Sequence, residues 1–213
     1  MNDVSRETAA VDKATAVFST RMPLAEKYAE LLADDGVTRG LIGPREVPRL
    51  WERHLLNCAV LGELIEPEAD VLDIGSGAGL PGLVLAIVRP DVVVTLVEPM
   101  ARRTEFLTEA TEALGLDNVE VLRARAEEVK PRGRADVVTS RAVAPLGKLS
   151  HWCLPLARPG GQVLAIKGAS AADEIVKYAK DLKKRGAENP EVVRCGTELL
   201  DTPTTVVRMF RRN

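Results

Sequence analysis

The chain has 213 residues, of which 46% are hydrophobic and 28% charged, and its formal net charge is −2. This composition fits one folded α/β domain with a short extension, excludes an intrinsically disordered chain, and gives no overall charge signal for nucleic-acid binding. Only 3% of the residues are aromatic, so the core must consist mainly of Val, Leu, Ile and Ala, as in buried parallel strands flanked by helices.

The residues before about position 66 are predicted to be helical. In the first helix, apolar side chains recur at helical spacing until Asp34-Asp35-Gly36 ends the pattern. A second helix is predicted to start after Gly43-Pro44. The apolar faces of the two helices carry Val17, Leu24, Tyr28, Leu31 and Leu32, and then Val47, Leu50, Trp51, His54, Leu55, Cys58 and Leu61. We expect residues 1–66 to form a helical extension that packs on a sheet.

Residues 67–213 are predicted to form one compact domain. Short Val-rich runs alternate there with helix-length segments, which predicts right-handed β-α-β units and a parallel sheet. The predicted strands cover 70–74, 92–97, 119–123, 135–140 and 162–167, and the predicted helices cover 81–89, 101–115, 145–157 and 171–185. Two final strand-like runs, 191–199 and 204–210, have no helix between them. They predict an antiparallel hairpin at one edge of a mostly parallel, seven-stranded sheet.

The first predicted strand leads into a glycine-rich loop, residues 73–79, in which glycine would let the backbone approach a ligand closely. Residues 77–82 also match the dinucleotide pattern G-x-G-x-x-G, but that match alone is weak. A carboxylate at Asp73 is unfavourable beside a pyrophosphate and favourable beside the cationic end of a sulfonium cofactor, and Pro81 offers no N–H to a phosphate. The loop therefore predicts an S-adenosylmethionine site at Asp73, Gly75, Ser76, Gly77 and Gly79.

Two further positions complete the predicted donor site. Glu98 ends the second predicted strand, 23 residues after Gly75, where a carboxylate can accept hydrogen bonds from both ribose hydroxyls. Ala126 and Glu127 follow the third predicted strand and are placed to meet an adenine ring. The combination predicts the Rossmann-like fold of class I S-adenosylmethionine-dependent methyltransferases.

A local basic stretch contrasts with the nearly neutral chain. Residues 130–148 contain five basic residues and one acid, for a local charge of +4, and three arginines lie in the last six residues. Such a patch predicts contact with RNA phosphates, with a solvated face as the alternative.

Cysteine and hydropathy patterns bear on location. The three cysteines, Cys58, Cys153 and Cys195, are widely spaced and form no C-x-x-C pair, so we expect buried thiols, no disulfide framework and no metal site. The first residues lack the basic-then-apolar order of a signal peptide, and the longest apolar runs are too short to cross a bilayer. The sequence predicts a cytoplasmic protein without a membrane partner.

Several of these motifs recur in order in one known family. Residues 49–58, RLWERHLLNC, are followed by VLDIGSGAGLPG at 71–82, Ser140-Arg141-Ala142 and Lys167-Gly168. Over roughly residues 45–170 the chain resembles the ribosomal RNA small subunit methyltransferase G family, also called glucose-inhibited division protein B. It departs from that pattern at Asn57-Cys58, where many relatives carry Asp-Ser.

The resemblance implies methylation of N7 of guanine 527 in the 530 loop of bacterial 16S rRNA. The partner would be 16S rRNA or the 30S subunit. The sequence implies no stable protein partner, and we expect a monomer. By position, the donor would contact Gly75, Leu80, Ala126, Glu127 and Arg141, with Glu98 at the ribose.

The chemistry of guanine N7 agrees with what the sequence lacks. No cysteine follows a proline, and residues 140–146 hold no Asn/Asp-Pro-Pro-aromatic motif, so neither attack on carbon 5 of cytosine nor methylation of an exocyclic amine is indicated. Guanine N7 has an in-plane lone pair and no proton, so its attack needs positioning rather than a general base. We predict that Arg141 holds the donor's carboxylate or the guanine, that Lys167 contacts phosphate or the guanine edge, and that His54 helps to position the substrate.

For each residue a structural role is the alternative: a surface ion pair for Arg141, a surface lysine for Lys167, and core packing for His54. Core packing is also favoured over base stacking for Trp51 and Trp152. The rival functions are a small NAD(P)-dependent oxidoreductase, a non-catalytic RNA-binding module and a small-molecule methyltransferase.

Overall fold

The computed structural model describes residues 3–213, in which one seven-stranded sheet has the order β3-β2-β1-β4-β5-β7-β6. The strands are β1 Asp70–Ile74, β2 Val93–Val97, β3 Val119–Leu122, β4 Ala135–Arg141, β5 Ala157–Ile166, β6 Ala187–Cys195 and β7 Thr204–Arg211. The α-helices are α1 Asp3–Phe18, α2 Met22–Leu31, α3 Asn57–Ala59, α4 Gly82–Val88, α5 Ala101–Leu114, α6 Leu146–Cys153 and α7 Ala171–Lys184.

The sheet is parallel from β3 to β5, and β7 runs antiparallel between β5 and β6. The predicted mostly parallel sheet with a C-terminal antiparallel hairpin is thereby confirmed. At the centre, Val71 of β1 pairs with Val94 of β2 on one side and Val137 of β4 on the other. The chain order reverses direction at β1, and the crevice above such a reversal, at the carboxyl ends of the strands, is where open α/β sheets bind ligands.

The N-terminal region is helical but irregular. A 3₁₀ turn at Ser19–Arg21 separates α1 from α2, and a π-helical turn follows at Leu32–Gly36. The helix predicted to start after Gly43-Pro44 begins at Pro44 and continues to Leu64, but the type of its turns changes along the way: Pro44–Arg49 (3₁₀), Trp51–Leu56 (π), α3 and Val60–Leu64 (3₁₀). Pro48 lies inside the first of these turns and has no N–H to continue an α-helical ladder.

Two hydrophobic clusters cover the two faces of the sheet. The larger contains the buried side chains of α1, α2 and the irregular segment together with α4 and α5. The smaller packs α6 and α7 on the opposite face. The N-terminal helices therefore share a continuous core with the sheet. This packing fixes their position relative to the site described below.

Three predicted boundaries shift for local reasons. Helix α6 ends at Cys153 because Pro155 follows, and β5 then begins at Ala157 rather than 162. Strand β6 spans 187–195 instead of 191–199, because Gly196 (φ +73°) ends it and its carbonyl accepts the N–H groups of the following turn. Pro190 is tolerated within β6 because the register shifts there and β6 is the edge strand.

In the described part of the chain, no helix combines the length and the apolar character needed to cross a bilayer.

Candidate active site

A cavity of about 620 Å³ opens at the carboxyl ends of β1, β2 and β4. Its sheet-side lining consists of Ile74, Gly75, Ser76, Gly77, Ala78, Leu80, Val97, Glu98, Pro99, Met100, Arg103, Ala124, Arg125, Ala126, Glu127, Arg141, Ala142, Val143 and Trp152. The N-terminal region contributes Leu41, Ile42, Gly43, Glu46 and His54. The volume is in the range of sites for cofactors and small molecules.

The glycine loop forms the floor of the cavity because its backbone turns back against β2. The N–H groups of Gly75 and Ser76 both donate to the carbonyl of Val97, at 2.9 and 3.2 Å. Gly75 and Gly77 have φ angles of +72° and +59°, which only glycine adopts without strain. A Cβ at position 75 would lie 2.7 Å from a methyl group of Val143. The sequence therefore needs glycine here both for the backbone path and for the close approach of the β4 loop.

Tyr28 of α2 supports this loop from below. Its side chain is fully buried, and its hydroxyl donates a 2.7 Å hydrogen bond to the carbonyl of Ala78. A Cβ at Gly79 would meet this hydroxyl at 2.9 Å and Leu83 at 2.5 Å. Gly79 thus serves packing beneath the loop and does not line the cavity.

Glu98 is the most buried acid of the lining, with 2% of the residue exposed. Its Oε2 accepts from the N–H of Gly77 at 3.1 Å, and its Oε1 accepts from the N–H of Met100 at 3.0 Å. The carboxylate ties the glycine loop to the start of α5, with the Arg103 guanidinium 3.5 Å away. Oε1 keeps a second lone pair, whereas Oε2 also accepts a long 3.5 Å hydrogen bond from Arg103. The group can therefore still accept from a ligand hydroxyl at Oε1, and at Oε2 if Arg103 gives way.

Ala126 and Glu127 also line the cavity and lie in the short 3₁₀ turn Ala126–Glu128. The Glu127 carboxylate accepts a 2.6 Å hydrogen bond from the indole N–H of Trp152. A hydrogen bond from its own backbone N–H and the one from Trp152 hold the pKa of Glu127 below its usual range. Trp152 therefore stands at the cavity wall, half-buried, and the expectation that it packs in the core is only partly met. Trp51 packs edge-on against Phe18 beside the larger cluster, as expected.

Arg141 joins the sheet to the N-terminal region. One guanidinium nitrogen donates to the thiol sulfur of Cys58 at 3.1 Å, and the other contacts Nδ1 of His54. Nε2 of His54 lies 2.8 Å from Oε2 of Glu46. Burial and the neighbouring charge of Arg141 lower the pKa of His54, so the imidazole is neutral at pH 7. The next residue, Ala142, adopts φ +55°, a strained conformation for a residue other than glycine that turns the chain around the cavity.

Asp73 lies beneath the loop and not in the lining of the cavity. It is fully buried, Oδ2 accepts from the N–H of Gly82 at 3.1 Å, and Oδ1 has no partner among the described residues. Burial raises the pKa of Asp73 to about 7. A Cβ at Gly82 would lie 2.2 Å from Leu96 and 2.7 Å from this carboxylate, which explains the fourth glycine of the motif.

Lys167 is also placed outside the lining. Its ammonium donates to the carbonyl of Ala144 at 2.8 Å and pairs with Glu174 at 3.0 Å, and its side chain is 11% exposed. Glu174 in turn accepts from the N–H of Leu146. This arrangement holds the loop after β4 against α7. The ammonium of Lys167, which was predicted to contact phosphate or the guanine edge, is already paired with Glu174.

Of the predicted site residues, the structure brings Gly75, Ser76, Gly77, Leu80, Glu98, Ala126, Glu127, Arg141 and His54 into one cavity. Sequence reasoning missed Tyr28, Glu46, Arg103 and the segment 41–43. In the sequence Tyr28 belongs to an apolar helix face and Glu46 to no motif, and only tertiary packing brings them to the site. All three cysteines are free and buried, as expected.

Comparison with known proteins adds a family match and close relatives. A family model described as "GidB: rRNA small subunit methyltransferase G" matches residues 21–202. A protein of Thermobifida fusca named "Ribosomal RNA small subunit methyltransferase G" is 59% identical over 93% of this chain and 84% of its own length. A protein of the same name from Rhodococcus jostii is 59% identical over 93% of this chain and 88% of its own length.

Solved structures show the fold. "M. jannaschii TYW2 in complex with AdoMet" superimposes with a TM-score of 0.61 at 19% identity, covering 77% of this chain and 78% of that one. A "putative s-adenosyl-l-methionine-dependent methyltransferase" of Methanococcus maripaludis gives a TM-score of 0.58 at 14% identity, covering 84% and 90%. The fold is that of Rossmann-like class I S-adenosylmethionine-dependent methyltransferases.

Proposed function

The chain belongs to the rRNA small subunit methyltransferase G family, and from that premise we propose that it transfers a methyl group from S-adenosylmethionine to N7 of guanine 527 in the 530 loop of 16S rRNA. The observation that carries the proposal is the cavity at the carboxyl ends of β1, β2 and β4, which is lined both by Arg141 and by the predicted donor-site residues. None of the cysteines lines this cavity in the described part of the chain, which supports direct transfer without a covalent intermediate.

The residues present fit the methyl donor. Glu98 ends β2 with a free lone pair on Oε1 and a replaceable 3.5 Å contact to Arg103 on Oε2, which suits a carboxylate that accepts from ribose hydroxyls. Three carboxylates and three guanidinium groups line the cavity, Glu46, Glu98, Glu127, Arg103, Arg125 and Arg141. This balance suits a zwitterionic amino-acid end better than the two negative charges of a pyrophosphate. The carboxylate of Glu98 bonded to Gly77 N–H also occupies a backbone donor that a dinucleotide phosphate would need, which disfavours an NAD(P) oxidoreductase.

When bound, S-adenosylmethionine supplies an electrophilic methyl group on its sulfonium sulfur. The protein's part is to hold the acceptor nitrogen in line with that methyl group and to exclude water. Arg141, at the wall of the cavity, can donate to the donor's carboxylate or to O6 of guanine, since a guanidinium is an obligate donor. The neutral imidazole of His54 adds no positive charge beside a base that becomes cationic on methylation.

The proposed partner is 16S rRNA or the 30S subunit, bound by a monomeric enzyme in the cytoplasm. The exposed bases Lys130, Arg132 and Arg134 follow directly on the Ala126–Glu128 turn, and Arg132 donates to the carbonyl of Glu127 at the cavity rim. A basic edge beside the cavity supports contact with RNA phosphates.

The proposal is tested by incubating the protein with labelled S-adenosylmethionine and unmethylated 30S subunits or naked 16S rRNA, followed by digestion to nucleosides. We expect label in 7-methylguanosine. Arg141→Ala is expected to abolish transfer while leaving the fold intact, checked by circular dichroism. Label in another nucleoside, or unchanged turnover of Arg141→Ala, would contradict the proposal.

A further inference from the structure

We propose that Glu46 is a positioning residue of the methyl-transfer site, which acts through His54 to fix the guanidinium of Arg141. The inference rests on the proposed function for its kinetic consequences, but its structural core is a chain of contacts from Glu46 to His54 to Arg141.

The three side chains come from separate parts of the sequence. Glu46 lies in the 3₁₀ turn Pro44–Arg49, His54 in the π turn Trp51–Leu56, and Arg141 at the end of β4. All three line the cavity. His54 is 8% exposed, so its two ring nitrogens depend on protein partners.

The protons in the hydrogen-bonded series Glu46–His54–Arg141 have one consistent arrangement. A guanidinium can only donate, so Nδ1 of His54 must accept from Arg141 and carry no proton. In the neutral imidazole the proton then lies on Nε2, and it needs an acceptor. Oε2 of Glu46 is that acceptor at 2.8 Å, and the hydrogen bond with His54 lowers the pKa of Glu46. A carboxylate that accepts from the second ring nitrogen of a histidine fixes the tautomer and the orientation of the ring, as is known for histidines that bind metals. Glu46 would do the same for His54.

The same arrangement predicts how acid affects the site. Protonation of His54 places an N–H against Arg141 and removes the acceptor, so among the described residues Arg141 keeps only its contact with Cys58. Burial and the charges of Arg141 and Arg53 lower the pKa of His54, whereas the hydrogen bond and charge of Glu46 raise it. The charged and titratable groups around this trio are Arg49, Arg53, Cys58, Asp73 and Tyr28. Of these, Arg53 contributes to the lowered pKa of His54.

Arg53 holds the other carboxylate oxygen of Glu46, at 3.1 Å. Glu46 is therefore fixed from two sides, and the turn that carries it also places Leu41, Ile42 and Gly43 at the cavity rim. Loss of the carboxylate should loosen the rim as well as Arg141.

The test compares Glu46→Ala and Glu46→Gln with wild type in the 30S methylation assay over pH 5 to 9. Alanine removes the acceptor, and we expect kcat at pH 8 to fall about tenfold, the lower end for loss of such a partner. Glutamine keeps an acceptor oxygen, so kcat at pH 8 should return to within about threefold of wild type. Because glutamine carries no charge, the pKa of His54 falls further, and the acid limb of the profile should move to lower pH by about 0.5–1 unit.

Glu52→Ala is the matched control. Glu52 is an acid of the neighbouring turn Trp51–Leu56, and in the described part of the chain it forms no hydrogen bond or ion pair with His54 or Arg141. The kcat and acid limb of this variant should match those of wild type. Melting temperatures of all variants exclude simple unfolding. The proposal is overturned if Glu46→Ala keeps wild-type kcat, or if the acid limb of Glu46→Gln coincides with that of wild type.

A readout independent of catalysis separates this proposal from the proposed function. In ¹⁵N spectra of the labelled wild-type protein at pH 7.5, Nδ1 of His54 should have the shift of an unprotonated nitrogen and Nε2 that of a protonated one, and Glu46→Ala should disturb this pattern. If the spectra agree but no 7-methylguanosine forms, the proposed function fails and the Glu46–His54–Arg141 chain stands. The opposite tautomer in wild type would overturn the proposal directly.

Discussion

Replacement of Tyr28 by Phe removes one oxygen atom that joins the N-terminal helices to the glycine loop. The ring of Tyr28 stays packed, so no apolar cavity forms, but the carbonyl of Ala78 loses a 2.7 Å donor in a place where the residue is 6% exposed. A buried polar group left without its partner costs about 1–3 kcal/mol. We expect the free energy of unfolding of Tyr28→Phe to fall by about that amount.

Part of the loss should appear as local loosening of the loop, because Ala78 lies between Gly77 and Gly79 and lines the cavity. The affinity for S-adenosylhomocysteine should therefore fall severalfold. Urea denaturation measures the first effect and titration calorimetry the second. Tyr178→Phe is the matched control, since that hydroxyl has no hydrogen-bond partner in the part of the chain that the structure describes. Unchanged stability and unchanged affinity in Tyr28→Phe would refute the idea that α2 supports the donor loop.

Three further predictions concern the same site. Glu98→Gln replaces one of two acceptors by a donor, so the N–H of Gly77 or Met100 loses its partner; KM for the donor should rise at least about tenfold, and an unchanged KM would exclude a ribose or loop-holding role. Burial raises the pKa of Asp73 to about 7, so the folded state keeps a proton that the unfolded chain releases above about pH 4, and stability falls as pH rises from about 4 to 7. The stability of Asp73→Asn relative to wild type should therefore increase by about 2–3 kcal/mol between pH 5 and pH 8 in urea denaturation, and a constant difference would refute the shift. Replacement of Lys130, Arg132 and Arg134 together by alanine should lower the slope of log binding constant against log salt concentration for RNA by about two. An unchanged slope would mean that these three bases form only a solvated face.

The central sheet was predictable because its signal is local. The apolar runs of β1, β2 and β4 are buried over most of their length. Parallel strands of this kind have a hydrophobic pattern that can be recognised without knowing the neighbouring strand. The glycine loop and Glu98 were predictable for a similar reason, since the loop's backbone path and the end of a strand fix their positions.

Features that depend on contacts between distant segments could not be read in this way. The carboxylate of Glu46 meets His54 only because π and 3₁₀ turns reorient the chain after Pro48. Lys167 follows β5 as predicted, but the neighbouring α7 supplies Glu174 and draws its ammonium away from the cavity. The predicted bounds of strand β6 were wrong at the N-terminal end because local propensity disfavours a proline inside a strand, whereas an edge strand tolerates Pro190 at a bulge.

We propose that the cavity above β1, β2 and β4 is the site of the methyl donor. A crystal structure of the complex with S-adenosylhomocysteine tests it most directly. We expect the ribose hydroxyls within hydrogen-bond distance of Glu98, the adenine against Ala126, and the amino-acid end over the glycine loop at Gly75. A ligand bound elsewhere, or a ribose without a hydrogen bond to Glu98, would show that this cavity is not the donor site.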